Sequence, residues 1–382
     1  MVHASPLNQR FYSPKTILGV FVQSIVTNEL TKQQPNILKF PNFKALIDVS
    51  RQLEETIAVY FFSEQHINFK KKQIHGIAYN HQLNRWEHDF FPLPHVVYHF
   101  SKKTKRNTTI LSTMKNKYRI QFINTPLDHN TSWKEYEILS KQADIRIPYS
   151  TQGNLRSPSI LRRKMAGMLE QYPILHIKGT FAKKEREMKI TKVNHNRIRY
   201  HLKLKKPITK HVKTMADLIK VFKRYYSANI ITIQQPIPHL QVKSQPIHFR
   251  AELQRGLDGE LNVTGITAKI GQMNALTTVQ GQYITFEQCM KKHFKFNDIR
   301  LSQLKNNITY LLQKTHITLE EYYGKMGEIG VDFALDQQLN FWYIKSNRRS
   351  NKQAFCKAHV QKQIEALYLN TLYYAQYLQR NR

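Results

Sequence analysis

The sequence predicts an α+β protein of two or three domains, and three observations support that expectation. With 382 residues, of which 41% are hydrophobic, the chain can fill several packed cores. Between about residues 15 and 130, short apolar strands alternate with helical patterns, as in a small α/β domain. From Ile247 the pattern changes to long paired strands and amphipathic helices.

In chain order, residues 16–24 (TILGVFVQS) read as a first strand. Residues 43–56 read as a helix leading into the strand AVYFFS at 58–63. PHVVYHF at 94–100 is another strand, residues 102–108 a basic loop, and residues 121–124 a short strand. Residues 133–142 carry apolar side chains near helical spacing and stop at Ile147-Pro148-Tyr149. The Ser157-Pro158 pair starts a second helix that runs to Tyr172. A buried strand, 174–179, ends in Lys178 and Gly179. Residues 188–204 then form a hairpin turning at 194–196, followed by a helix at 215–226 and a strand at 230–235. Asp258-Gly259 joins HFRAELQR to ELNVTGITAKIG, a strong hairpin signal. Helices follow at 286–294 and 298–316.

Residues 326–349 (MGEIGVDFALDQQLNFWYIKSNRR) form the central hairpin. Ile329, Val331, Phe333 and Leu335 alternate on one strand; Asp336-Gln337-Gln338 breaks it; Leu339, Phe341, Tyr343 and Lys345 continue at period two. Asp332 faces Lys345-Ser346-Asn347 across this hairpin. A last helix at 357–380 presents Val360, Ile364, Leu367, Tyr368, Thr371, Leu372 and Ala375 on one stripe.

Composition narrows the functional classes. No apolar run is long enough for a membrane span, and the first residues lack the apolar core of a signal peptide. Two distant cysteines, Cys289 and Cys356, fit a reducing compartment without a disulfide framework or zinc site. Lys and Arg total 59 against 26 Asp and Glu, a net charge of +33. Dispersed charge of this kind gives general affinity for polyanions. A dedicated nucleic-acid binder would interleave its basic clusters with stacking aromatics, and no such motif is present.

An ordered set of residues runs from Lys178 at a strand end through Gln234-Gln235 to Arg250, Lys269 and the Asp332/Lys345/Asn347 hairpin. With its flanking segments, this set resembles the YheC/YheD family of endospore coat-associated proteins within the ATP-grasp superfamily, over roughly residues 94 to 350. The resemblance implies an ATP-grasp fold of two α+β lobes preceded by a small α/β domain, divided as 1–130, 131–235 and 236–382. It implies ATP and Mg²⁺ as cofactors and a carboxylate–amine ligase activity. Lys178 would touch the α/β-phosphates, and the backbone around Gln234, Gln235 and Ile237 would read adenine. Arg250 and Lys269 would neutralise phosphate charge, while Asp332 and Asn347 would hold the metal.

The chain departs from the family pattern at three places. The glycine-rich phosphate loop is replaced by Lys178-Gly179-Thr180-Phe181-Ala182-Lys183, an acid by His248, and the metal-binding glutamate by Lys345. These departures imply a degenerate member with ATP and Mg²⁺ binding weakened or lost. Its basic surface would engage acidic coat proteins or polymers, in the mother-cell cytoplasm or at the spore coat. An active ligase, an ATP-binding protein and a nucleic-acid binder are the alternatives. Several residues also have plainer readings: Lys178 as a snorkelling strand-end lysine, Gln234 and Gln235 as edge-strand polar groups, and Arg250 and Lys269 as part of the basic surface. Asp332 and Lys345 together are equally consistent with a structural ion pair.

Overall fold

The computed structural model describes residues 15–126, 132–181, 184–194, 196–204, 206–271, 281–350 and 352–382. Three β-sheets, each with its own apolar core, organise these residues.

The first sheet contains β1 (Thr16–Phe21), β2 (Ile57–Phe62), β3 (Ile67–Asn68), β4 (Gln73–Asn80), β5 (Arg85–Pro92), β6 (Val96–His99) and β7 (Gln121–Phe122). The order is β3-β4-β2-β1-β6-β7, with β5 on β4; β2, β1, β6 and β7 are parallel. Parallel central strands are buried on both faces, which explains the unbroken apolar runs at 16–21 and 57–62. Helices α1 (Ser24–Leu30) and α2 (Pro41–Ser50) cover one face, and α3 (Lys105–Asn116) covers the other. The expected 102–108 loop is therefore corrected: Thr104 caps a helix that begins at Lys105, its hydroxyl accepting from the Asn107 N–H. Ile110, Leu111 and Met114 supply the buried face that the basic residues had obscured.

The second sheet is built from β8 (Ser150–Asn154), β9 (Ile174–Phe181), β10 (Lys184–Asn194), β11 (Arg197–Leu202), β12 (Ile208–Val212) and β13 (Ile230–Gln234). They stand in the order β12-β11-β10-β9-β13-β8, all antiparallel. One face packs on α5 (Pro158–Gln171) and α6 (Met215–Tyr225) through Leu175, Ile177, Met188, Ile190 and Phe222.

The third sheet contains β14 (Gln241–Val242), β15 (Gln245–Arg255), β16 (Leu261–Ile270), β17 (Gln282–Thr285), β18 (Glu328–Leu335) and β19 (Phe341–Asn347). Its order is β17-β16-β15-β18-β19, with β14 on β15. α4 (Ser132–Leu139), α7 (Phe286–Phe294) and α8 (Asp298–Tyr323) cover its apolar face. α9 (Gln353–Ala358) and α10 (Gln361–Arg380) follow. α10 leaves the third sheet and inserts Leu367, Tyr368, Leu372 and Ala375 into the core beneath β1 and β6. The single helix expected over 357–380 is broken at 359–360, and Val360 is exposed.

Candidate functional site

The third sheet has one apolar and one polar face, because successive strand residues alternate. Ile247, Phe249, Ala251 and Leu253 of β15 point into the core. His248, Arg250 and Glu252 therefore share the opposite face. On β16, register puts Lys269 beside His248 and Thr267 beside Arg250. On β18, Asp332 stands beside Arg250 and Gly330 beside Glu252. β19 brings Lys345 against Asp332 and Asn347 against Gly330.

A bulge between the Asp332 and Phe333 pairings sets that last alignment. Phe333 opposes Tyr343 while Asp332 opposes Lys345, so Ile344 is the extra residue. The expected period-two continuity from Leu339 through Tyr343 to Lys345 is corrected twice here. Leu339 lies in the turn with φ +64°, and the bulge moves Lys345 to the polar face while Tyr343 stays buried. Asp336 holds the turn, its carboxylate accepting from the Gln338 and Asn340 N–H groups and the Trp342 indole.

Arg250 is the hub of the polar face. Its Nη1 donates to Asp332 Oδ1 at 3.0 Å, Nε to Glu252 Oε1 at 3.0 Å, and Nη2 to Ser350 Oγ at 3.0 Å. Ser350 in turn donates to Glu252 Oε1 at 2.7 Å. The guanidinium lies over Gly330, so a Cβ at that position would have to displace it. Burial alone would make Arg250 easier to deprotonate, but Glu252 and Asp332 more than offset it and keep the guanidinium charged. Burial raises the Glu252 carboxyl, and Arg250 and Ser350 only partly oppose that.

Asp332 faces a second cation: Lys345 Nζ lies 4.0 Å from Oδ2 on a half-exposed side chain. Asn347 is exposed, and its Oδ1 accepts from the Arg349 N–H at 3.0 Å. A divalent cation needs several convergent hard oxygens. Here the available carboxylate is flanked by a guanidinium and an ammonium, and Glu252 is closed off behind Arg250. Among the described residues, no group of three or more His, Cys, Asp or Glu side chains is placed to hold a metal.

The second sheet turns its polar face toward these residues. Lys178 is opposite Thr232 on β13 and Glu187 on β10. Gln234 is buried and donates to Ser150 Oγ at 3.1 Å, and the Gln235 N–H bonds to the Tyr149 carbonyl. Ile237 is half-buried in the connection that leads to the third sheet. His239 and His248 stack with ring centroids 4.3 Å apart; burial lowers His239 to about 4 and His248 well below its usual range. His176 bonds Glu187 at 2.8 Å. Burial alone would raise the Glu187 carboxyl, but His176 and Lys178 bring it down to about 2. Lys269 sits over the Tyr283 ring, 5.2 Å from its centroid.

β9 and β10 remain paired as far as Phe181 and Lys184, which leaves two residues between the strands. Sequence reasoning missed Glu252, Gly330 and Ser350. Glu252 could have been found as the only acid among the alternating polar positions of β15; Ser350 left no such signal.

Two α+β lobes, each built on its own sheet, are the architecture of the ATP-grasp fold. Solved structures agree at the level of fold. VanG D-Ala:D-Ser ligase from Enterococcus faecalis matches with TM-score 0.51 at 10% identity, over 95% of this chain and 99% of that one. Macrocyclase MdnC, bound with precursor peptide MdnA, from Microcystis aeruginosa MRC, matches with TM-score 0.51 at 11% identity over 93% and 99%. The ATP-grasp ligase PsnB, complexed with a precursor variant, Mg and ADP, gives 0.52 at 12% identity over 94% and 99%.

The chain belongs to the YheC/D-like ATP-grasp family, whose model matches residues 119–378. It is 23% identical over 300 residues to the endospore coat-associated protein YheD of Bacillus subtilis (strain 168), a match covering 78% of this chain. The matched region spans 65% of that relative's length. No helix among the described residues is long and apolar enough to cross a membrane.

Proposed function

We propose that this chain is a catalytically degenerate ATP-grasp protein serving as a binding or structural component for anionic partners. The observation that carries the reading is Asp332, whose two oxygens face Arg250 at 3.0 Å and Lys345 at 4.0 Å. A lysine at position 345 supplies one positive charge but no oxygen ligand and no coordination geometry, so Mg²⁺ binding is lost or greatly weakened. The pairing of β9 with β10 as far as Phe181 and Lys184 supports the same reading, since paired strands leave little room for a loop that covers a triphosphate. Lys178, Gln234, Gln235, Ile237, Arg250, Lys269 and Asn347 then persist as the frame of a nucleotide cleft without its turnover.

A net charge of +33 favours acidic proteins or polymers as partners. Likeness to a protein named for its association with the endospore coat supports the coat or the mother cell as the place where such partners would be met. The test is ADP and phosphate release in the presence of Mg·ATP and a panel of small carboxylates, with Lys178→Ala as the reference. Equal background from both proteins is expected. Release that depends on Lys178 would instead establish the family's ligase chemistry and overturn the reading.

A further inference from the structure

The second sheet carries a feature that a nucleotide cleft does not require. Its core face is set by Met188, Ile190, Ile198, Tyr200 and Leu202, all buried. The alternate residues of β10 and β11 therefore line the other face: Glu187, Lys189 and Thr191, then Arg197, Arg199 and His201, with Lys203 just past the end of β11. Register aligns Lys189 with His201, Thr191 with Arg199, and Arg199 with His211 of β12. Arg197, Arg199 and His211 are exposed. Glu187 is the acid whose side chain is described on this face, and His176 and Lys178 already share it.

The charges at the outer end press on one another. Burial and Arg199 lower the Lys189 amine; burial and Lys189 lower His201; desolvation, Arg197 and Arg199 lower His211. Like charges are gathered on one sheet face at a cost that an incoming anion would relieve.

We infer that the face around Lys189, Arg197 and Arg199 docks an extended acidic segment of a partner polypeptide. Same-face residues on a strand lie about 6.4–6.8 Å apart, and carboxylates on one side of an extended acidic chain repeat at that same distance. Arg197, Arg199 and His201 follow that repeat along β11, and Lys189 stands one strand away. Single-stranded nucleic acid fits less well: no Phe, Tyr or Trp among the described residues stands on this face to stack a base. The inference rests on the reading of the chain as a binding component. It adds the surface and the chemistry of the partner.

The experiment measures binding of fluorescein-labelled poly-L-glutamate and of an oligo-dT of equal charge, by anisotropy at about 0.1 M salt. Lys189→Glu/Arg197→Glu/Arg199→Glu is compared with Lys70→Glu/Lys71→Glu/Lys72→Glu, an equal change of charge on the first sheet. The β10–β11 variant is expected to lose about ten- to a hundredfold in poly-glutamate affinity, the combined effect of three ion pairs, two at exposed arginines and one at the half-buried Lys189. The first-sheet variant should lose less than about threefold, the share of general attraction. Equal losses would overturn the docking face, and so would tighter binding of oligo-dT than of poly-glutamate by the parent protein. Should the triple reversal not fold, Arg197→Gln/Arg199→Gln against Lys70→Gln/Lys71→Gln gives the same comparison. Neither result depends on ATP, so ligase turnover can fail or succeed separately.

Discussion

Replacing Arg250 with methionine tests the polar hub most sharply. The guanidinium makes three hydrogen bonds, to Asp332, Glu252 and Ser350, each at 3.0 Å. Its loss leaves Glu252, whose side chain is 3% exposed, with the Ser350 hydroxyl at 2.7 Å in place of a cation. Removing one partner of a buried ion pair costs about 3–5 kcal/mol, chiefly from the charge left behind. Removing both charges with Arg250→Met/Glu252→Met should recover most of that. The sign of the pH effect follows from Glu252. Burial already raises its carboxyl above the ordinary value of 4.5, and losing Arg250 raises it further. A carboxyl raised in the folded state contributes stability below its unfolded value and loses it as pH rises. The deficit of Arg250→Met should therefore be larger at about pH 8 than at about pH 5. Urea titrations followed by tryptophan fluorescence would read both, since Trp342 sits on the same sheet. A deficit that does not change with pH, or a double variant as unstable as the single one, would refute the account of the hub.

Two further outcomes follow from the same physics. Gly330→Ala should destabilise by about 2–4 kcal/mol, because its Cβ would displace the guanidinium. In an Arg250→Met background the same change should cost under about 1 kcal/mol, which urea midpoints of the four proteins would show. Glu320 should govern part of the acid sensitivity. Burial alone would raise its carboxyl, but His316, the Met326 N–H and Arg255 bring it from 4.5 to about 2. That depressed value contributes about 3 kcal/mol above the unfolded pKa, lost as pH falls toward 2. Glu320→Gln should thus be less stable than the parent at neutral pH, with the gap closing in acid titrations.

Much of this fold is legible in the sequence where apolar periodicity is strong. The runs at 16–21 and 57–62, the Asp258-Gly259 hairpin and the helix beginning at Pro158 lie close to where pattern reading puts them. The hairpin of β4 and β5 was not visible, because QIHGIAYN and RWEHDFFP mix histidines and charges with the apolar residues of a half-exposed pair. α3 was hidden by lysines that mask a four-residue buried face. In the site, the hairpin pattern sets Asp332 against the run Lys345-Ser346-Asn347, but its pairing with Lys345 itself depends on the bulge. The contacts of Arg250 could not be anticipated: Ser350 lies a hundred residues away and reaches the guanidinium through chain reversal after β19. The bulge at Ile344 also escaped, because no glycine marks it.

Calorimetric titration with Mg·ATP most directly tests whether Arg250 and Lys345 have displaced the divalent metal from Asp332. The account predicts no binding tighter than about millimolar, and no change on replacing Mg²⁺ with EDTA. Clean micromolar binding that disappears on chelation and in Asp332→Asn would contradict it.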